Sequence, residues 1–206
     1  MRNLLLATLI SIFSAQVAAQ TETHSGDFIL NLPGKHSMFV QGFRTFFAGQ
    51  YVAPEKNLAV LRQLKDQMSK IRIADFSADD PDMTTLVCRL SWPVYAPAKL
   101  PYAMFLAGAM RDELTREGLY ASDDGIAVTG HLDSINFDSF GSGKWKIAAT
   151  FSVEGKTPVT VKHDMAFPVG FGAASACRDV RDNLVPAMQE FLFAVYSDPQ
   201  FQAMVH

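Results

Sequence analysis

The stretch that decides the fold is KWKIAATFSVEGKTPVTVKHDMAF, residues 144–167. Trp145, Ile147, Ala149, Phe151 and Val153 alternate with Lys144, Lys146, Thr150 and Ser152. A period of two with one apolar and one polar face predicts a half-buried strand. Glu154-Gly155-Lys156 then supplies a tight turn. Val159, Val161, His163, Met165 and Phe167 follow as the inward set of a second strand, with Thr160, Lys162 and Asp164 outward. Two such runs form an antiparallel hairpin with one face dry and one face wet. The dry face needs a cover, and helices on either side of the hairpin in sequence can provide it.

C-terminal to the hairpin, Cys177, Val180, Leu184, Met188, Phe191 and Val195 recur at helical spacing, predicting one helix from about Ala173 to Tyr196. Pro186 lies inside it and is expected to kink it. Asp198-Pro199 ends that helix and can cap a short final turn. N-terminal to the hairpin, Ile126, Val128, Gly130 and Leu132 alternate with polar residues, and the phase then flips to Ile135 and Phe137. A bulge near Asp133-Ser134 is expected, and a glycine-rich turn at Ser139 to Gly143.

Further upstream a helix is predicted over Tyr102 to Glu117. Phe105, Leu106, Ala109, Met110 and Leu114 form its dry side, while Arg111, Asp112, Glu113, Arg116 and Glu117 form its wet side. Gly118 is the natural C-cap. Strands are expected at Ile71 to Phe76 and Thr85 to Trp92, separated by a turn at Asp79-Asp80-Pro81-Asp82. Pro93, Pro97 and Pro101 should hold the next segment out of regular pairing. The order strand, strand, helix, three strands, helix places residues 70–206 in an α+β domain. The expectation is a mainly antiparallel sheet of about five strands with two helices packed on one face.

Residues 20–69 read as an N-terminal extension with one or two helices. Phe28, Leu30 and Leu32 alternate like a short strand before Pro33-Gly34. From Ser37 the spacing of Phe39, Val40, Phe43, Phe46 and Phe47 predicts a helix with an aromatic face. That face either packs on the core domain, the preferred reading, or forms a partner surface made of Phe39, Phe43, Phe46 and Phe47. A second helix is expected from Pro54-Glu55, with Leu58, Leu61, Leu64 and Met68 on one side.

The first 19 residues read as a secretory signal. Met1-Arg2 is the positive start, Leu4 to Phe13 is the apolar run, and Val17-Ala18-Ala19 suits cleavage before Gln20. The run is shorter than the roughly 20 residues a membrane span needs, so no transmembrane segment is expected. No cysteine lies near the cleavage point, so a lipoprotein signal is not expected. Without Arg2 the chain has 17 basic against 21 acidic side chains, a net charge of −4. A nucleic-acid partner would call for a basic stripe, which that balance lacks. Export places Cys88 and Cys177 in an oxidising compartment, where an even count predicts a bridge between them.

No motif for chemistry stands out. Gly-x-Ser-x-Gly, His-Glu-x-x-His and a complete phosphate loop do not occur, and Gly141-Ser142-Gly143-Lys144 reads as a hairpin turn. Among His24, His36, His131, His163 and His206, His131 shares a strand face with Asp133 and His163 is adjacent to Asp164, but no third ligand or nucleophile is visible for either pair. Asp79, Asp80 and Asp82 lack the order of a calcium loop. No catalytic residue, metal or cofactor is expected.

A broader pattern runs through Val87-Cys88-Arg89, Phe105, Asp112-Glu113-Leu114, Gly118-Leu119-Tyr120, Thr129-Gly130-His131-Leu132-Asp133-Ser134-Ile135 and Gly143-Lys144-Trp145-Lys146-Ile147. It continues through Ala176-Cys177, Pro186-Ala187-Met188-Gln189 and Ser197-Asp198-Pro199-Gln200-Phe201. These residues, spread over about two thirds of the chain, resemble a family of small Gram-negative envelope proteins, many of them lipoproteins. The resemblance implies the same cysteine pairing and carries no activity to any residue. Topologically the element order is similar to accessory domains of envelope machines: the amino-terminal domain of the Tol-system translocation protein, transporter-associated auxiliary lipoproteins, and lipoprotein activators of cell-wall synthases. The expected function is that of a periplasmic, non-enzymatic accessory protein that binds an envelope protein partner. A small-ligand or lipid carrier is the first alternative, and an enzyme of unknown class the second.

Overall fold

A computed structural model describes residues 51–90 and 92–206, together with the backbone of two short strands, Phe28–Leu30 (β1) and Met38–Val40 (β2). β1 and β2 pair antiparallel. Phe39 therefore belongs to a strand ribbon and not to the first turn of an aromatic helix. Phe43, Phe46 and Phe47 lie outside the described residues.

The chain then runs through α1 (Glu55–Leu64), β3 (Ile71–Ala78), β4 (Thr85–Cys88), β5 (Trp92–Tyr95) and α2 (Tyr102–Arg116). It continues with β6 (Ile126–Asp138), β7 (Gly143–Ser152), β8 (Val159–Phe167), α3 (Ala173–Asp182), α4 (Leu184–Ser197) and α5 (Pro199–Met204). The α+β class holds, but the sheet is four-stranded and mixed, in the order β3-β6-β7-β8. β3 pairs parallel to β6, while β6–β7 and β7–β8 are antiparallel. The parallel pair follows from α2, which lies between β3 and β6 in sequence. A helical crossover returns the chain to the same end of the sheet, and periodicity carries no information about that direction.

The expected strand from Thr85 to Trp92 is instead a hairpin outside the main sheet, with Cys88 opposite Trp92. Arg89 and Leu90 turn it with φ of 43° and 73°. Pro93 sits inside β5, opposite Val87. A two-stranded ribbon has open edges, where a residue without an N–H is tolerated.

The hairpin at 144–167 forms as its alternation predicts. Trp145, Ile147, Ala149 and Phe151 are buried, as are Val159, Val161 and Phe167; His163 and Met165 are half-buried. The register shift in β6 falls between Leu132 and Ser134, where the phase flips. α2 packs over β3 and β6, and α4 over β7 and β8. Phe105, Leu106, Met110 and Leu114 meet Phe191, Leu192 and Val195 in one core. The Trp145 indole donates to the Val180 carbonyl at 2.9 Å, so its burial leaves no orphaned donor. α1 lies against α4 and α2 as a further layer, with Leu61 fully buried.

The helix expected over 173–196 breaks into α3 and α4 at Asn183. Pro186 has no N–H to donate to the carbonyl four residues back, that of Asp182, and its ring crowds that carbonyl. Asn183 Nδ2 donates to the Asp179 carbonyl and finishes α3. Asp198 accepts from the Gln200 and Phe201 amides and starts α5.

Candidate functional site

The disulfide Cys88–Cys177 is present, with Cα atoms 5.8 Å apart, and ties β4 to α3. Both cysteines are buried. The next residue, Arg89, occupies a left-handed conformation that a non-glycine side chain adopts only when its surroundings hold it there. Its guanidinium lies 4.6 Å from the Phe140 ring centroid. One Nη donates to the Ser139 carbonyl, and the other donates to the Phe171 carbonyl at 3.1 Å. A single arginine thus draws together the β4–β5 turn, the β6–β7 turn and the β8–α3 loop.

The side chains gathered at this end are large, apolar and exposed. Leu90 is 97% exposed and Phe140 68%; Phe171 is fully exposed, and Val87 and Trp92 stand about half out. Val87, Pro93 and Tyr95 share the outer face of the ribbon. Single exposed apolar side chains are ordinary on protein surfaces; here Arg89 brings two of them, Phe140 and Phe171, to the β4–β5 turn. The sequence offered Arg89-Leu90 as part of a strand, so this end was not legible as a site.

Beside the ribbon is a groove of about 670 Å³. Tyr95 and Val52 line it together with Pro97, Leu184, Val185 and Pro186, and Lys99, Arg181 and Asp182 stand among its lining residues. Ala98 and Lys99 there also have positive φ, 55° and 56°. Lys99 Nζ rests 4.9 Å over the Tyr95 ring.

A second polar feature is internal. Glu113, expected on the wet side of α2, is fully buried. Its Oε1 accepts from Tyr51 Oη at 2.6 Å and from Asn57 Nδ2 at 2.9 Å. Asn57 also donates to the Gln189 carbonyl, so this node fastens α1 to α2 and α4. The Tyr196 hydroxyl borders the same carboxylate, but Tyr196 Oη, Glu113 Oε2 and Asn57 Oδ1 lack an aligned partner. Burial pushes the Glu113 carboxyl up to about 7, against the opposing pull of the Tyr51, Tyr196 and Asn57 hydrogen bonds. The same burial, with Glu113 alongside, holds the Tyr51 and Tyr196 phenols well above their usual range.

The histidine pairs seen in sequence separate in space. His131 Nδ1 lies 3.0 Å from Ser77 Oγ and Nε2 lies 3.4 Å from Asp79, while Asp133 accepts from Thr150. Asp79 is almost fully exposed, so water screens its hold on the imidazole. His163 sits on β8 beside Asp164, which pairs with Lys144 at 3.6 Å. Among the described residues no group of three or more His, Cys, Asp or Glu is placed to hold a metal ion. No described helix is long and apolar enough to cross a membrane. No protein-family model matches the chain, and a search of curated proteins finds no match.

Proposed function

We propose that this chain is a periplasmic, non-enzymatic binding module of a Gram-negative cell envelope, and that it docks a partner protein through the hairpin end. The observation that carries the reading is the exposed set Val87, Leu90, Trp92, Phe140 and Phe171, in which Arg89 draws Phe140 and Phe171 to the hairpin turn beside a buried disulfide. Aromatic residues and arginine are the residue types enriched at protein interfaces. The signal-like first 19 residues, the disulfide and the resemblance to small envelope proteins support the compartment.

Co-purification from envelope extracts tests the reading, comparing the native chain with a Leu90→Asp/Phe171→Asp variant. Both positions are exposed, so the variant should melt like the native chain and lose its partner. A variant that folds normally and retains every co-purifying protein would overturn the assignment.

The groove beside Tyr95 favours a second reading, a carrier for a small amphipathic ligand with its apolar body on Val185 and Pro186. Native mass spectrometry of protein isolated from the periplasm distinguishes the two. A stoichiometric small adduct that a Val185→Trp substitution removes would favour the carrier.

A further inference from the structure

β8 is the last strand of the main sheet, and no described strand pairs with its outer edge. It is nine residues long and pairs with β7 throughout without a bulge. Proline occurs only outside it, at positions 158 and 168. An edge of this length and regularity presents a row of open backbone donors and acceptors to another strand.

The sequence of this edge is complementary to itself. His163 is the middle residue of Val159–Phe167. Antiparallel pairing of two copies about His163 places Lys162 opposite Asp164 of the second copy, and Asp164 opposite Lys162, on the wet face. On the other face Val161 meets Met165 and Val159 meets Phe167; Thr160 faces Ala166 on the wet side. Shifting the axis by one residue sets Lys162 against Lys162, or Asp164 against Asp164. Shifting it by two leaves both charges facing uncharged residues. Opposite charges directly across a ladder stabilise it and like charges destabilise it, so this edge specifies one register.

Among the described residues, Thr160, Lys162, Asp164 and Ala166 of this strand are exposed. Lys162 has no ion-pair partner among the described residues, and Asp164 is more than half exposed despite its contact with Lys144. α4 covers the dry side of β8 but leaves His163 and Met165 half-buried at the rim. We propose that the chain forms a two-fold symmetric dimer through β8, joining two four-stranded sheets into one of eight strands. The occupant of the edge is a second copy of this chain, and a closed isologous contact of this kind stops at two subunits.

Sedimentation velocity of the oxidised chain over a concentration series tests this, alongside the variants Lys162→Asp, Asp164→Lys and the double exchange. A monomer–dimer equilibrium is expected for the native chain. Each single reversal turns both cross-strand pairs into like-charge pairs and should raise the dissociation constant about tenfold or more. The double exchange restores both pairs and should restore dimerisation. Hydrogen exchange of the native chain supplies a readout independent of the variants: β8 amides should become protected as concentration rises. A native chain that is monomeric throughout, β8 amides indifferent to concentration, or single reversals as tightly dimeric as the native chain would each overturn the proposal. So would a partner's strand found on β8 in place of a second copy.

Discussion

Replacing Glu113 with glutamine should stabilise the fold at alkaline pH and leave it nearly unchanged in mild acid. The native carboxyl sits near 7 in the fold against 4.5 for the ordinary group. A group whose folded value is raised binds its proton more tightly in the native state. Its contribution to stability is therefore complete below about pH 4.5 and is lost as pH climbs through 7. At 1.36 kcal/mol per pH unit, the native chain should lose roughly 3 kcal/mol from this group between those limits. The charges near the node include Asp112, which raises the Glu113 carboxyl further, and Arg116, which pairs with Asp112. Glutamine keeps an acceptor for Tyr51 and Asn57. Its amide also gives Tyr196 Oη or Asn57 Oδ1 a donor, as a protonated Glu113 would. The assay is urea denaturation of both proteins from pH 4.5 to 8.5, taking the difference between them so that other titrating groups cancel. The gap should open with pH and reach roughly 3 kcal/mol in favour of glutamine. A constant gap, or a glutamine variant less stable than native at pH 8.5, would refute the reasoning.

Three other outcomes are expected. Cys88→Ser opens an 89-residue separation and should lower stability by about 2–5 kcal/mol in denaturant titrations; non-reducing peptide mapping of the native chain should recover Cys88 linked to Cys177. Gly130→Ala places a Cβ 2.5 Å from the Phe76 ring, an overpacking that should cost about 1–3 kcal/mol and be visible as a lower melting temperature. Intact mass of the exported chain should correspond to a start at Gln20, and recovery of a chain still carrying Met1 would contradict the leader reading.

What the sequence revealed and what it concealed divide along physical lines. The β7–β8 hairpin was legible because one buried face and one wet face impose a period of two, and Gly155, with φ of 75°, marks its turn. The bulge near Asp133 was legible because an extra residue flips the phase of the side chains. Strand direction between β3 and β6 was not, since alternation is the same in parallel and antiparallel ladders. The Arg89-Leu90 turn was hidden because neither residue is a usual turn former; the conformation is held by contacts with Ser139, Phe140 and Phe171, about 50 to 80 positions away. Glu113 was assigned to water because it lies among charged neighbours on α2. Its burial depends on Tyr51 and Asn57, which arrive from a layer that one helix's own periodicity cannot report. The candidate docking end was illegible for the same reason: its members come from the β4–β5 hairpin, the β6–β7 turn and the β8–α3 loop, which only the tertiary fold brings together.

The most direct test of the docking assignment is site-specific photo-crosslinking in cells that produce the protein, with a benzophenone amino acid at Leu90 and, as control, at Lys156 in the turn at the opposite end of β7. The account predicts a discrete adduct with one envelope protein from position 90 and none from position 156. The adduct should disappear when Phe171→Asp is introduced. No discrete adduct from position 90, or the same adduct from both positions, would contradict it.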